Sequence, residues 1–196
     1  MIKPWKRKKH KVDYDCGFFQ VHVDHSASPV TGKEHPFFIL STHDWTNVIA
    51  LTPAQEVLMV SQYRHGSGEV SLEIPGGAVE PGESPLKAAQ RELREETGYR
   101  ATRWKSLGSV RPNPAILDNT CYFFLALDAK PAGELDLDEA EELEVSLHDL
   151  KDIPRLIRRG GIRHSLVIAA FHFFDLLKSE KKGKFAFKPS KAGKSA

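Results

Sequence analysis

GGAVEPGESPLKAAQRELREETG, residues 76–98, changes character halfway along its length. The first half is loop, with paired glycines followed by Pro81 and Gly82. The second half is helix. Ser84-Pro85 supplies an N-cap and a proline at the first helical position. Leu86, Ala89 and Leu93 then recur at helical spacing, and Gly98 is suited to end the helix in the left-handed conformation. The spacing predicts a helix over 84–97. Glu92, Glu95 and Glu96 stand on it at i, i+3 and i+4, so they project from neighbouring points. That side adjoins the apolar stripe, which places the carboxylates at the edge of the core, facing a cleft. Such a cluster repels itself unless positive charge lies within it. Salt bridges to Arg91 and Arg94 on a solvated face would supply that charge, and so would a bound cation. An all-oxygen donor set favours Mg²⁺ or Mn²⁺ over zinc.

Before this stretch the chain reads as strands. GFFQVHV (17–23), PFFIL (36–40), NVIAL (47–51) and VLMVSQYR (57–64) are short apolar or alternating runs separated by turn signals. GSGEVSLE then leads as a strand into the glycine-rich loop. After the helix, residues 105–111, 120–127 (TCYFFLAL) and the segment around LEVSL read as strands, with the loop RPNPAILDN between the first two. Helices are expected over 154–159 and 163–178, the latter with an apolar side through Leu166, Ala170 and Phe174. Strands on both sides of a central helix, with more helix at the end, make an α+β layered fold.

The 196 residues carry a net charge of +2, with 40% hydrophobic and 28% charged side chains, an ordinary globular balance. No apolar run is long enough to span a bilayer. The basic N-terminus lacks the apolar stretch of a secretory signal, so a cytoplasmic enzyme is the expectation. Cys16 and Cys121 show no metal or redox spacing, and both are expected to be buried free thiols. Basic residues crowd both ends and acids crowd the middle. The basic ends read as solvated chain rather than as nucleic-acid arms.

Gly77, Glu83, Arg91-Glu92-Leu93, Glu95-Glu96 and Gly98 match, position for position, the motif G-x5-E-x7-R-E-U-x-E-E-x-G-U. Tyr99 takes the final place, where an aliphatic residue is commoner. The chain thus resembles the Nudix hydrolases. The resemblance implies an α/β/α sandwich with a mixed central sheet and an N-terminal antiparallel strand-rich subdomain. It divides the chain into a dimerisation and substrate-covering segment (1–45), a catalytic domain (46–180) and a basic tail (181–196). It also implies metal-dependent substitution at phosphorus by water. Glu92 and Glu96 would be the principal Mg²⁺ or Mn²⁺ ligands, with the Gly76 carbonyl and Glu95 in support, while Glu83 and Arg91 orient them.

The flanks resemble the branch that hydrolyses ADP-ribose and related nucleoside diphosphate sugars. Gln62-Tyr63-Arg64, Glu73-Ile74-Pro75-Gly76-Gly77, Pro114 and the long N-terminal segment carry this likeness. It implies that Arg64 holds a substrate phosphate and that the acidic stretch 138–142 supplies Glu139 as base and Glu141 as a further ligand. Glu142 is the rival for these roles. Trp5, Trp45, Phe18 and Tyr63 are candidates to stack a nucleobase, and Arg111 and Asn113 to meet the distal sugar or phosphate. His164, heading an apolar helix, reads as structural or exposed. The substrate class would be a nucleotide sugar and the assembly a homodimer. Two alternatives are a dinucleoside polyphosphate or nucleoside triphosphate hydrolase and a non-catalytic nucleotide sensor.

Overall fold

The computed structural model describes residues 1–137 and 142–182, with side chains up to Ser179. The central sheet runs β11(Leu143–Asp149), β5(Glu56–Arg64), β4(Trp45–Leu51), β9(Cys121–Leu127), β8(Arg103–Val110), with β6(Glu69–Glu73) also on β5. β4 and β9 are parallel, from Trp45↔Cys121 to Leu51↔Leu127, and the other pairs are antiparallel. The sheet is therefore mixed. Both its faces are apolar, because alternate residues of β4 and β9 point opposite ways. Ile49, Leu51, Phe123 and Leu125 pack with Ile162, Val167, Ala170 and Phe174. Val48, Ala50, Phe124 and Ala126 pack with Ala89 and Leu93. Helices α2(Ile153–Arg158) and α3(Ser165–Lys182) thus cover one face, and α1(Pro85–Thr97) covers the other. The result is a three-layer α/β/α sandwich.

The sheet splits where the site forms. β4 and β5 meet at Leu51↔Val57, and from Val60 onward β5 takes β6 as its neighbour, with Val60↔Glu73 through Arg64↔Glu69. The chain then crosses from β6 to β4. Val48 N–H donates to the Pro75 carbonyl and Thr46 N–H to the Gly77 carbonyl, at 2.8 and 2.9 Å. Residues 69–78 are therefore a wedge between two strands that would otherwise pair throughout.

Residues 6–42 form a sheet of their own, β1(Lys6–Asp15)–β2(Phe19–Ala27)–β3(Glu34–Thr42), all antiparallel. The basic stretch KRKKHKVDYD is a strand, although it carries no apolar alternation. It is exposed along its whole length, so burial never selected its side chains. Its pairing is supported by Asp24, which is buried beneath His10 (2.6 Å) and Arg7 (3.3 Å). Two shorter strands also escaped sequence reading, β7(Tyr99–Arg100) and β10(Lys130–Pro131), which pair with each other. Cys16 is exposed at the β1–β2 turn and not buried as expected, whereas Cys121 is buried, and both thiols are free. Among the described residues no helix is long and apolar enough to cross a membrane. The basic tail lies, from residue 183, outside the described residues.

Helix α1 is punctuated as its sequence predicts. Ser84 is extended (φ −83°, ψ 148°) and its side chain accepts from Lys87 N–H, while Gly98 adopts φ 67° and donates its N–H to the Arg94 carbonyl. A Cβ on Gly98 would overlap the Gly133 carbonyl oxygen. Gly98→Ala therefore combines a strained φ with a backbone clash and is expected to cost roughly 2 kcal/mol. Urea denaturation of the two proteins measures the difference, and an unchanged midpoint would contradict this account.

Candidate active site

The side of α1 that faces the wedge carries the acidic cluster. Ala88, Ala89, Leu93 and Glu96 are buried, whereas Leu86, expected on the apolar stripe, is exposed. Glu96 is 4% exposed and accepts the Gly76 N–H at 2.9 Å, tying the helix to the wedge. Gly77 lies so close to the helix that a Cβ there would overlap the Glu92 carboxylate.

Arg91 gathers the remaining acids. Its Nη1 donates to Glu92 Oε1 at 2.9 Å and to Glu95 Oε2 at 3.1 Å. Its Nη2 donates to the Ala78 carbonyl at 2.9 Å and to Glu83 Oε2 at 3.2 Å. Burial would lower the guanidinium's affinity for its proton, but Glu83, Glu92 and Glu95 outweigh burial and raise it. Arg94 adds a second cation, 3.1 Å from Glu95. The salt-bridged helix face anticipated from the sequence is thus real, and it is built on the same carboxylates that suit a metal.

Among the described residues, no three acidic, His or Cys side chains converge closely enough to cage an ion alone. The donors nonetheless fit a hard divalent cation. Glu92 and Glu96 lie one helical turn apart against the Gly76–Gly77 backbone, their side-chain donors are all oxygen, and each carboxylate offers several lone pairs. Glu139 and Glu141 lie outside the described residues. The chain that carries them leaves the last turn of α1, where Asp136 N–H donates to the Glu95 carbonyl at 3.0 Å. It returns as β11, with Leu143 opposite Gln62. Glu142 is exposed.

Part of this cluster walls a cleft of about 530 Å³. Glu92, Glu96 and Arg91 line it, as do Arg64, Trp45 and Phe18. Arg64 is a bidentate partner of Glu73, through Nε at 2.9 Å and Nη2 at 2.8 Å. Glu73 is 2% exposed, and its Oε2 also lies 3.8 Å from His164 Nε2. Burial pushes the Glu73 carboxyl up, but the hydrogen bonds and the charge of Arg64 prevail and hold it below its ordinary value of 4.5. From sequence, Glu73 stands out only within the lead-in to the motif and His164 reads as structural or exposed; their meeting is not foreseen there, since it joins β6 to the start of α3.

The remaining candidates lie elsewhere. Trp5 packs edge-on against Phe37 and His35 on the small sheet. Arg111 donates to the Asp118 carbonyl within its own loop, and the Asn113 carbonyl accepts from Ile116 and Leu117 N–H. None of the three lines the cleft. Tyr63 is exposed beside His65. A smaller hollow of about 310 Å³, bordered by Arg94, Arg100 and Trp104, lies behind α1.

A model of the NUDIX domain matches residues 42–171. The chain is 32% identical over 130 residues to ADP-ribose pyrophosphatase of Bacillus subtilis (strain 168), covering 66% of this chain and 70% of that protein. It is also 32% identical over 135 residues to the methanol dehydrogenase activator of Bacillus methanolicus, covering 68% and 73%. A crystal structure of an ADP compounds hydrolase shares the fold, with a TM-score of 0.80 at 19% identity over 93% of this chain and 97% of that one.

The Glu73–Arg64 pair gives a pH-dependent prediction. With its folded value depressed, Glu73 stabilises the fold fully above its unfolded value, and this contribution is lost as pH falls through the folded value. Glu73→Gln is expected to destabilise the protein by about 1–2 kcal/mol at neutral pH, a range discounted because Arg64 is half-exposed. Denaturant titrations should show the gap to wild type closing below about pH 4. A gap that stays constant down to pH 3 would contradict the assignment.

Proposed function

The chain belongs to the Nudix family, and within it we propose a divalent-metal-dependent hydrolase that cleaves the pyrophosphate of ADP-ribose or another nucleoside diphosphate sugar. The products are a nucleoside monophosphate and a sugar phosphate. The observation that carries this reading is the pair of motif carboxylates Glu92 and Glu96 on a cleft that also holds Arg64, Arg91 and the aromatic side chains of Phe18 and Trp45.

Glu92 and Glu96 would hold Mg²⁺ or Mn²⁺, with Glu95, the Gly76 carbonyl and Glu141 completing the set. Bound there, the ion neutralises phosphate oxygens and acidifies a water. Arg91 keeps Glu92 and Glu95 at the rim of the loop. Arg64 presents a guanidinium, oriented by Glu73, to a substrate phosphate. Glu139 accepts the proton of the attacking water, whose oxygen ends on one phosphate product. The described residues on either side of Glu139 support this role, since Asp136 is bonded to the last turn of α1 and Leu143 pairs with Gln62 of the cleft wall. Phe18 and Trp45 offer apolar faces to a base. A homodimer formed through the β1–β3 sheet is supported by exposed Val12, Tyr14, Phe37 and Phe38 on that sheet. Trp5 belongs to the same surface.

The relatives named ADP-ribose pyrophosphatase favour this reading over a triphosphate or dinucleotide hydrolase. Turnover should be measured on ADP-ribose, GDP-mannose, UDP-glucose, diadenosine polyphosphates, NADH and dGTP, each with and without Mg²⁺. Metal-dependent release of a nucleoside monophosphate from a nucleotide sugar is the predicted result. Preference for dGTP or a dinucleotide would overturn the substrate class, and binding without turnover would indicate a sensor. Glu139→Gln should lower kcat by about 10²-fold or more with little change in KM. If Glu142→Gln has that effect instead, the base is misassigned.

A further inference from the structure

We propose that His164 is a substrate-contacting residue whose Nε2–H, presented beside Arg64, binds a phosphoryl oxygen of the nucleoside diphosphate. This rests on the reading of the cleft as a nucleoside diphosphate site, and it adds a donor that the metal-binding motif does not contain.

His164 stands immediately before α3. Its carbonyl accepts from Ile168 N–H at 3.1 Å, and its Nδ1 accepts from Leu166 N–H at 3.3 Å. The residue is thus the N-cap of α3, with imidazole in place of the usual short side chain. A ring nitrogen that accepts a backbone N–H carries no proton, so the neutral ring bears its proton on Nε2. The cap therefore selects the tautomer.

His164 lines the cleft. Glu73 Oε2 lies 3.8 Å from its Nε2, beyond hydrogen-bond reach. The same oxygen receives Arg64 Nη2 at 2.8 Å. Guanidinium and imidazole N–H accordingly lie side by side over one buried carboxylate. Arg163, the preceding residue, is held 2.9 Å from Glu69 on the same strand as Glu73. Arg163 thus anchors the start of α3 to β6 while the Leu166 N–H holds the His164 ring, and the donor is fixed before any ligand arrives. A fixed N–H next to a guanidinium suits a tetrahedral anion with several oxygens.

The capping role and the contact role separate by substitution. His164→Asn keeps an acceptor for the Leu166 N–H, since asparagine is a good N-cap, but its amide falls short of the Nε2 position. His164→Gln restores a donor at that reach. Binding of α,β-methylene ADP-ribose, which resists hydrolysis, would be measured calorimetrically with the full chain and Mg²⁺, alongside the thermal midpoint of each protein. The expected result is about tenfold weaker binding by His164→Asn at an unchanged midpoint, with His164→Gln within about threefold of wild type. In turnover the Asn variant should raise KM and leave kcat nearly unchanged. Wild-type affinity in His164→Asn would overturn the contact, and a Gln variant as weak as Asn would overturn the donor assignment. Failure of the wild type to bind the analogue would overturn the nucleoside diphosphate reading itself, and the contact with it.

Discussion

The site depends on one guanidinium. Arg91 reaches back from α1 to the Ala78 carbonyl and Glu83 of the preceding loop while holding Glu92 and Glu95 of its own helix. Without it, a loop rich in glycine and a helix face dense with carboxylates would be joined mainly by the Gly76 N–H to Glu96. Glycine gives the loop freedom it must lose on folding, and the like charges repel. A single planar cation with five donors answers both problems at once. It also leaves carboxylate oxygens at the rim of a cleft, which is where chemistry on a pyrophosphate needs them.

The wedge of residues 69–78 extends this logic. By pairing first with β5 and then with β4, it opens the sheet at the point where Gly76 and Gly77 pass beneath α1. Glu73 fixes Arg64 on one side, and Glu96 fixes the Gly76 N–H on the other. Backbone and side-chain hydrogen bonds thus share the task of holding the rim open. The apolar layers on both faces of the sheet, centred on β4 and β9, supply the rigid base from which the rim projects.

Helix α1 was legible in the sequence because each determinant is local. Cap, proline, apolar spacing and terminal glycine lie within one stretch, and so do the acids that the motif requires. Strand β1 was not legible, because KRKKHKVDYD is exposed throughout and leaves no hydrophobic trace. Cys16 misled for a related reason. Aromatic neighbours in sequence suggested burial, yet Phe18 and Tyr14 are themselves exposed. Arg64 was identified, but its buried partner Glu73 and the nearby His164 come from a strand and a helix start that only the tertiary fold unites. Among the aromatic candidates, the choice of Trp45 and Phe18 over Trp5 likewise needed the position of the small sheet.

The central claim is that the α1 carboxylates form a hard-cation site. Electron paramagnetic resonance titration of Mn²⁺ tests it most directly, because free Mn²⁺ gives a signal that binding removes. Glu96→Gln is the informative comparison, since the amide oxygen can still accept the Gly76 N–H and hold the wedge in place. The account predicts saturable loss of the free-ion signal with wild type and at least tenfold weaker binding by the folded variant. Equal Mn²⁺ binding by the two proteins would contradict it.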